Sequence, residues 1–232
     1  MGAITTVCLD ADDTFWNNLS FYRLTEERFQ AMLADYASPE DLGQRLLDTE
    51  KRNLKIYGFG IKGFTLSMIE TAVQVTEGRA PGHVIAQILE AGREMLAHPV
   101  DLLPFVEDAI ETLSSRYKLV LVTKGDLLDQ ERKIAASGLG ERFSGIEIVS
   151  DKNPDTYRRV FRIHAGEPTA AVMVGNSMKS DVVPALAAGG AGVFVPHEIE
   201  WSVEHDDEPV AHARYRRIDN LGQLGASIQS LE

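Results

Sequence analysis

The feature that most constrains this chain is a regular alternation of apolar runs and helical patterns in its second half. Each run has the length of a buried strand, and a helix-like or polar segment follows it. The four runs lie at 118–123, 146–149, 171–174 and 192–196. Because strands that alternate with helices pair in parallel and carry helices on both faces, we predict a Rossmann-like, doubly wound α/β domain.

The first predicted strand, at 4–9, is separated from the others by an all-helical block. Helical patterns in this block lie at 19–37, 40–57, 64–75 and 83–97. Such a block is too long to be a simple crossover between neighbouring strands. We therefore predict two domains, an α/β core made of 1–15 and 100–232 and an inserted all-α cap made of 16–99.

The charge balance limits the partners of the protein. The 232 residues contain 35 acidic and 23 basic side chains, a formal net charge of -12. A surface of this sign repels phosphate polyanions, so we expect neither nucleic acid nor a membrane as a partner. Cys8 is the single cysteine, which excludes an internal disulfide and indicates a reducing compartment. No apolar run approaches the roughly 18 residues of a membrane span, and we predict a cytoplasmic protein that acts on a small molecule.

Reactive side chains follow four of the predicted strands at their carboxyl ends, where open parallel sheets form their binding sites. These candidate residues are Asp10 and Asp12 after the first strand, Thr123 and Lys124 after the second, Lys152 after the third, and Asn176, Ser177 and Asp181 after the fourth. Any one of them alone would be explained as a turn residue or a helix cap. Carboxylate, hydroxyl, ammonium and carboxylate at successive strand ends instead predict a single active site.

The acidic residues of this set predict a metal ion. Asp10 and Asp12 are two positions apart on an extended segment, so their side chains leave the same side of the chain. Asp181 joins them from another strand end. Three converging carboxylates repel one another unless a hard cation lies among them, and oxygen ligands favour Mg²⁺.

In this order, the same residues resemble the haloacid dehalogenase superfamily of phosphatases and related hydrolases. The stretch D-A-D-D-T at 10–14 is similar to the first motif of that family, D-x-D-x-T. Thr123 matches the second motif, Lys152 the third, and G-N-S-M-K-S-D at 175–181 resembles the fourth. The helical block lies where family members insert an α-helical cap. One position departs from the family pattern, because Asn176 replaces the first acid of the fourth motif.

The resemblance implies a Mg²⁺-dependent phosphatase that hydrolyses a small phosphorylated metabolite through an aspartyl-phosphate intermediate. Asp10 would be the nucleophile, and Asp12 the general acid and base. Thr123, Lys124 and Lys152 would bind the phosphoryl group. Asp10 and Asp181 would bind the metal through their side chains and Asp12 through its carbonyl oxygen.

Several alternatives remain open at this point. The dehalogenase branch uses the same nucleophile but typically lacks an acid at the second position, so Asp12 favours phosphate esters. A phosphomutase or phosphotransferase differs only in the acceptor that the cap admits. In a different class, a receiver-like module or a fold relative that binds a phospho-ligand without catalysis would share these residue types. Asn176 gives the non-catalytic alternative slight support, and the intact acids oppose it.

Three further residues are expected to contact the substrate or support the site. Lys62 lies in the glycine- and phenylalanine-rich segment G-F-G-I-K-G-F at 58–64, within the predicted cap. As part of a loop that meets the substrate, Lys62 would bind an anionic tail; as part of a turn, it would be an ordinary surface lysine. Asn176 and Ser177 would act beside the metal or the substrate.

Overall fold

The computed structural model describes residues 3–232 and contains a parallel six-stranded sheet. Its strands are β1 (Thr6–Leu9), β2 (Lys118–Lys124), β3 (Gly145–Val149), β4 (Ala171–Gly175), β5 (Ala191–Phe194) and β6 (Tyr215–Arg217). They are ordered β3-β2-β1-β4-β5-β6, and every neighbouring pair is parallel. The predicted α/β fold class is confirmed. From β1, the strands β2 and β3 extend towards one edge of the sheet, and β4 to β6 extend towards the other edge. This change of direction beside β1 leaves a crevice at the carboxyl end of that strand.

Along the chain, the described residues form α-helices between the strands and after the last strand. They are α1 (Leu19–Met32), α2 (Pro39–Tyr57), α3 (Ile61–Val75), α4 (Gly82–Leu96), α5 (Val106–Ser114), α6 (Leu127–Ser137), α7 (Pro154–Ala165), α8 (Val183–Ala187) and α9 (Leu224–Gln229). A π-helical turn, Met178–Val182, leads directly into α8. The predicted helical pattern at 19–37 ends earlier than expected, because α1 stops at Met32 and turns follow it.

Two elements were not predicted from the sequence. Helix α5 buries Val106, Ile110 and Leu113, which are spaced along one face of a short helix. Strand β6 lies in the polar segment that follows β5. It has only three residues and pairs at one edge with β5, so its local sequence carries too short a pattern to indicate a strand.

The two faces of the sheet explain the apolar character of its central strands. Val7 and Leu9 point into one hydrophobic cluster, whereas Cys8 points into another that contains Tyr157 and Phe161 of α7. A strand buried on both faces needs apolar residues at consecutive positions. In the register, Leu9 pairs with Leu121 on β2 and with Val174 on β4, so β1 and β4 end within one residue of each other, whereas β2 continues to Lys124.

The chain divides into two compact units. The first contains the residues up to Asn17 together with Val100–Lys124 and Gln130–Glu232; the second contains Asn18–Pro99 and Gly125–Asp129. In the second unit, α1 to α4 pack around a separate apolar core that includes Phe29, Leu42, Met68 and Ile88. No helix in the part of the chain that the structure describes is long and apolar enough to cross a membrane.

Candidate active site

The turn after β1 presents the first acid of the site. The Asp10 N–H donates a hydrogen bond to the Val174 carbonyl (2.9 Å), which keeps Asp10 in line with the strand, and the Phe15 N–H donates to Ala11 (2.7 Å) to close the turn. Thr14 Oγ1 donates to Asp10 Oδ2 (3.2 Å). Asp13 adopts a positive φ of 60° at this turn, a conformation that Asp tolerates better than most residues.

A buried lysine joins the acids from two strand ends. Lys152 Nζ donates to Asp10 Oδ1 and to Asp181 Oδ1, the latter at 2.7 Å. Its side chain is only 2% exposed, and Asp181 is fully buried. Burial alone would lower the pKa of Lys152, but the two carboxylates outweigh this effect and raise it. Burial raises the pKa of Asp10, and the Lys152 ammonium opposes that rise.

The fourth strand end is shaped to bring Asp181 close to the sheet. A Cβ atom at Gly175 would lie 2.2 Å from Asp181 Oδ2, so only glycine fits there. The Ser177 N–H donates to the same oxygen (3.0 Å). The Tyr157 hydroxyl, 3.5 Å from Asp181 Oδ1, donates to the Ser180 carbonyl (2.9 Å). Tyr157 was not predicted as a site residue, because an aromatic residue in a helix is ordinarily a core residue.

The amide of Asn176 faces two oxygens of the first turn. One terminal amide atom lies 3.1 Å from Asp10 Oδ2 and 3.1 Å from the main-chain oxygen of Asp12. If this atom is nitrogen, it donates two hydrogen bonds. If it is oxygen, it accepts from Thr14 Oγ1 (3.3 Å) and also faces the two oxygens of the first turn, an arrangement that a cation among them would stabilise.

These residues provide the donor set that a hard divalent cation requires. The carboxylates of Asp10 and Asp181, the carbonyl of Asp12 and the amide oxygen of Asn176 are all oxygen ligands, the kind that Mg²⁺ prefers. Within residues 3–232, no three His, Cys, Asp or Glu side chains are grouped so as to hold a metal ion. A metal at this position would therefore depend on the main-chain and amide oxygens, and with them the residues fit Mg²⁺.

The Asp12 side chain is held away from these oxygens by three donors. Oδ1 accepts from Trp16 Nε1 (2.7 Å) and from Lys133 Nζ (2.6 Å), and Oδ2 accepts from Gln130 Nε2 (2.8 Å). Burial alone would raise the pKa of Asp12. The Lys133 charge and the hydrogen bonds outweigh burial and lower this pKa.

The end of β2 contributes a hydroxyl and an ammonium. Thr123 Oγ1 is buried and donates to Gln130 Oε1 (3.2 Å). Lys124 Nζ contacts Glu204 Oε1 (2.6 Å) and Ser180 Oγ (2.7 Å), so this predicted phosphate-binding side chain is directed towards the segment after β4.

The predicted site residue Ser177 lies on the same network. Ser177 Oγ donates to Glu204 Oε2 (2.5 Å), so one carboxylate joins Ser177 to the lysine at the end of β2. Burial alone would raise the pKa of Glu204, but Lys124 and the serine hydroxyls lower it. The acidic run at 204–208 has the composition of a solvated loop, but only 16% of the Glu204 side chain is exposed.

Lys62 belongs to the second compact unit. Its ammonium lies 3.5 Å from Asp126 Oδ1, and its main-chain N–H donates to Asp126 Oδ2 (3.2 Å). Gly60 has a φ of 128°, and a Cβ there would lie 2.7 Å from Asp126 Oδ2. The Lys62 side chain is half exposed, so it is accessible for a substrate while it pairs with Asp126.

Gln130 and Lys133 lie at the site although neither was predicted as a site residue. They are three positions apart on α6, which starts shortly after β2, and this spacing puts them on one face of the helix. Glutamine and lysine in a helix are usually solvated, so burial was not expected for them. The sequence indicated only that both lie on the helix that follows a predicted catalytic strand end.

Comparison with protein families and solved structures assigns the fold to a known group. Residues 4–189 match the family model of haloacid dehalogenase-like hydrolases. The chain is 43% identical to a haloacid dehalogenase-like family hydrolase from Xanthomonas campestris, with a TM-score of 0.88 over 99% of this chain and 92% of that chain. No curated protein matches.

More distant solved structures share the fold alone. A predicted phosphoglycolate phosphatase from Haemophilus somnus is 19% identical, with a TM-score of 0.63 over 97% of this chain and 98% of that one. L-2-haloacid dehalogenase from Xanthobacter autotrophicus, with chloropropionic acid covalently bound, is 16% identical, with a TM-score of 0.67 over the same shares. Similarity at this level does not distinguish phosphate-ester hydrolysis from dehalogenation.

Proposed function

Because the chain belongs to the haloacid dehalogenase-like hydrolase family, we propose that it is a Mg²⁺-dependent phosphatase acting on a small phosphorylated metabolite. The observation that carries this proposal is the second acid of the first turn. Asp12 follows Asp10 by two residues, and its carboxylate has its own set of donors separate from the Lys152 pair. Attack on phosphorus and proton transfer to the leaving group can therefore be done by two different carboxylates.

The reaction has two steps that reuse the same two acids. In the first, an Asp10 oxygen forms a bond to phosphorus while the ester P–O bond breaks, and the leaving oxygen takes a proton from Asp12. Asp12 therefore has to enter this step protonated, although Lys133 lowers its pKa in the free protein. In the second, Asp12 takes a proton from water as that water attacks phosphorus. The bond between Asp10 and phosphorus then breaks, which releases phosphate and restores both carboxyl groups.

Positive and polar groups around Asp10 support the charge of the phosphoryl group. Lys152 is an ammonium next to the nucleophile, and the Thr123 hydroxyl lies at the neighbouring strand end. Asp10, Asp181, the Asp12 carbonyl and the Asn176 amide oxygen would hold Mg²⁺. When bound, the metal supplies electrostatic stabilisation of the phosphoryl oxygens.

We assign the second unit the role of a cap that selects the substrate. Lys62 supports this role, because its ammonium is half exposed and pairs with a single carboxylate that an anionic substrate group can replace. A compact α-helical unit inserted between two strands of the catalytic domain is also the usual means of excluding water before phosphoryl transfer.

One observation favours a second candidate, a 2-haloacid dehalogenase. The acids of the site already accept N–H donors from protein groups, since Lys152 bridges Asp10 and Asp181 and the Ser177 N–H contacts Asp181. This arrangement satisfies the carboxylates by protein groups alone. Asp10 would then attack carbon and expel halide, and Asp12 would have no proton to supply.

A paired assay separates the two candidates. Purified protein is incubated with a panel of phosphate esters in Mg²⁺ or in EDTA, and phosphate release is measured. In parallel, halide release from 2-chloropropionate is measured under both conditions. We expect phosphate release that requires Mg²⁺ and no halide release. Halide release in EDTA without ester hydrolysis would contradict the phosphatase proposal and support a dehalogenase.

A further inference from the structure

We propose that Lys133, with Gln130 and Trp16, is a positioning residue that sets where the Asp12 carboxylate stands for proton transfer. This inference rests on the proposed phosphatase function and extends it to residues outside the four strand-end motifs. Lys133 and Gln130 come from α6, and Trp16 lies four positions after Asp12. None of the three is assigned a contact with the phosphoryl group.

Both oxygens of the Asp12 carboxylate are used by these donors. Trp16 Nε1 and Lys133 Nζ share Oδ1, at 2.7 Å and 2.6 Å, and Gln130 Nε2 donates to Oδ2 at 2.8 Å. Two donors on one oxygen and a third on the other fix the plane and the rotation of the carboxylate. The proton-bearing oxygen of an acid must lie within hydrogen-bond reach of the leaving atom, so this orientation matters for the rate.

The donors are themselves held in place. Gln130 is 2% exposed; its Oε1 accepts from Thr123 Oγ1 (3.2 Å), and its Nε2 also donates to the Lys124 carbonyl (3.3 Å). The Gln130 amide therefore has a fixed orientation and connects the end of β2 to Asp12. Trp16 is 1% exposed and packs in the core of the first unit.

Lys133 is an unusual residue to find in this position. It is 7% exposed, and a buried ammonium is costly unless a negative partner lies beside it. Asp12 is such a partner, and the ion pair spans 121 positions of sequence. If Lys133 served stability alone, a change there would lower activity towards every substrate in the same proportion. If Lys133 instead positions the acid, the loss of activity should depend on how much the leaving group needs a proton.

Leaving-group dependence therefore provides the test. Lys133→Met removes the ammonium and keeps the length of the chain, and Lys51→Met, at an exposed position on α2, is the matched control. We expect Lys133→Met to lower kcat about 10²-fold for a simple alkyl phosphate and less than about 5-fold for p-nitrophenyl phosphate, whose leaving group needs little protonation. KM should change by less than about 3-fold, and Lys51→Met should match wild type.

A double-mutant cycle ties the effect to Asp12. With the alkyl phosphate, Asp12→Asn plus Lys133→Met should be no slower than Asp12→Asn alone, because the acid that Lys133 positions is already gone. Lys133→Arg should recover at least part of the kcat. Losses that multiply in the double variant, or equal losses on both esters, would overturn the positioning role.

Trp16→Phe gives a second measurement that leaves the buried ion pair intact. It removes one donor to Asp12 Oδ1 and keeps an aromatic ring in the core, and we expect a kcat loss of about 10-fold for the alkyl phosphate alone. Should Lys133→Met fail to fold, this variant decides the proposal, and an equal loss on both esters overturns it. Failure of the phosphatase function would be seen differently, as absence of ester turnover by the wild-type protein.

Discussion

At the residue scale, the centre of the site is a lysine that lies between two carboxylates. Lys152, Asp10 and Asp181 are each buried, so every charge depends on the others for its stability. Removing one member of such a group leaves an unpaired charge in a place with little water, which costs more than the pair itself contributes. Substitutions here must keep the shape of the side chain if their effect on chemistry is to be measured.

Asp10→Asn tests the nucleophile with the least change in shape. We expect turnover of p-nitrophenyl phosphate to fall by at least about 10³-fold, because an amide cannot form the acyl phosphate. Asp13→Asn is the matched control. Asp13 adopts a positive φ that asparagine accepts readily, and this variant should stay within a few-fold of wild type. An Asp10→Asn enzyme that keeps more than a tenth of the activity would contradict the assignment.

Asn176→Asp tests the departure from the family pattern. A carboxylate there would place a new charge 3.1 Å from Asp10 Oδ2 and from the Asp12 carbonyl, with no amide hydrogen to donate. In EDTA we expect a loss of about 1–3 kcal/mol of stability. The added charge should also tighten Mg²⁺ binding, measured by titration calorimetry, about tenfold.

The control for this variant is Asn220→Asp. Asn220 accepts from the Gly222 N–H, as an aspartate would, so the substitution changes the net charge by the same amount away from the site. Unchanged melting in EDTA together with an unchanged Mg²⁺ affinity in Asn176→Asp would exclude the amide from the metal site.

At the element scale, the ends of the strands form the site and the helices set the stability. The register brings the carboxyl ends of β1 and β4 close to one level, β2 extends past them to Lys124, and Gly175 allows Asp181 to approach β4 closely. In the second unit, α2 carries an acid that is largely buried. Burial first, and then the charge of Glu26, raise the pKa of Glu50 to about 8.

The stability of the second unit should therefore depend on pH through Glu50. Between an ordinary pKa of 4.5 and the folded value of about 8, the folded protein holds a proton that the unfolded chain has released. The free energy of unfolding should then fall as pH rises from about 5 to 8. Glu50→Gln should flatten this dependence and stabilise the protein at pH 8, by an amount on the order of a few kcal/mol.

Urea unfolding at pH 5, 6.5 and 8 measures this effect. Glu111→Gln, at an exposed position on α5, removes the same charge from the surface and should follow the wild-type profile. A Glu50→Gln variant with the wild-type slope between pH 5 and 8 would mean that Glu50 is ionised in the folded protein.

At the scale of the whole molecule, the protein has two compact units with separate apolar cores. The first unit contains every strand end that carries a predicted catalytic residue, and the second contains Lys62. A net charge of -12 makes a positive side chain such as Lys62 valuable for an enzyme that binds an anion. Under the proposed function, substrate selection and chemistry would be changed by substitutions in different units.

Lys62→Ala tests the division of roles. For the best substrate of the phosphate ester panel that carries a second anionic group, we expect kcat/KM to fall about 10–100-fold through loss of a charged hydrogen bond. Hydrolysis of p-nitrophenyl phosphate should barely change. Asp126→Asn is the control, because it removes the ion-pair partner and keeps Lys62. Equal losses in both variants would mean that Lys62 serves only the ion pair.

The sequence by itself determined the α/β class, strands β1 to β5, most of the helices and the strand ends that carry reactive residues, because these follow from local apolar patterns; it did not indicate α5 or β6. It did not indicate the partners of Asp12, which lie 118 and 121 positions away, or the contact between Lys124 and Glu204, which spans 80. Burial of Lys133 and Glu204 contradicts their local character, since each depends on an opposite charge that only packing brings near. Tertiary structure alone decided how the Asp12 carboxylate is held.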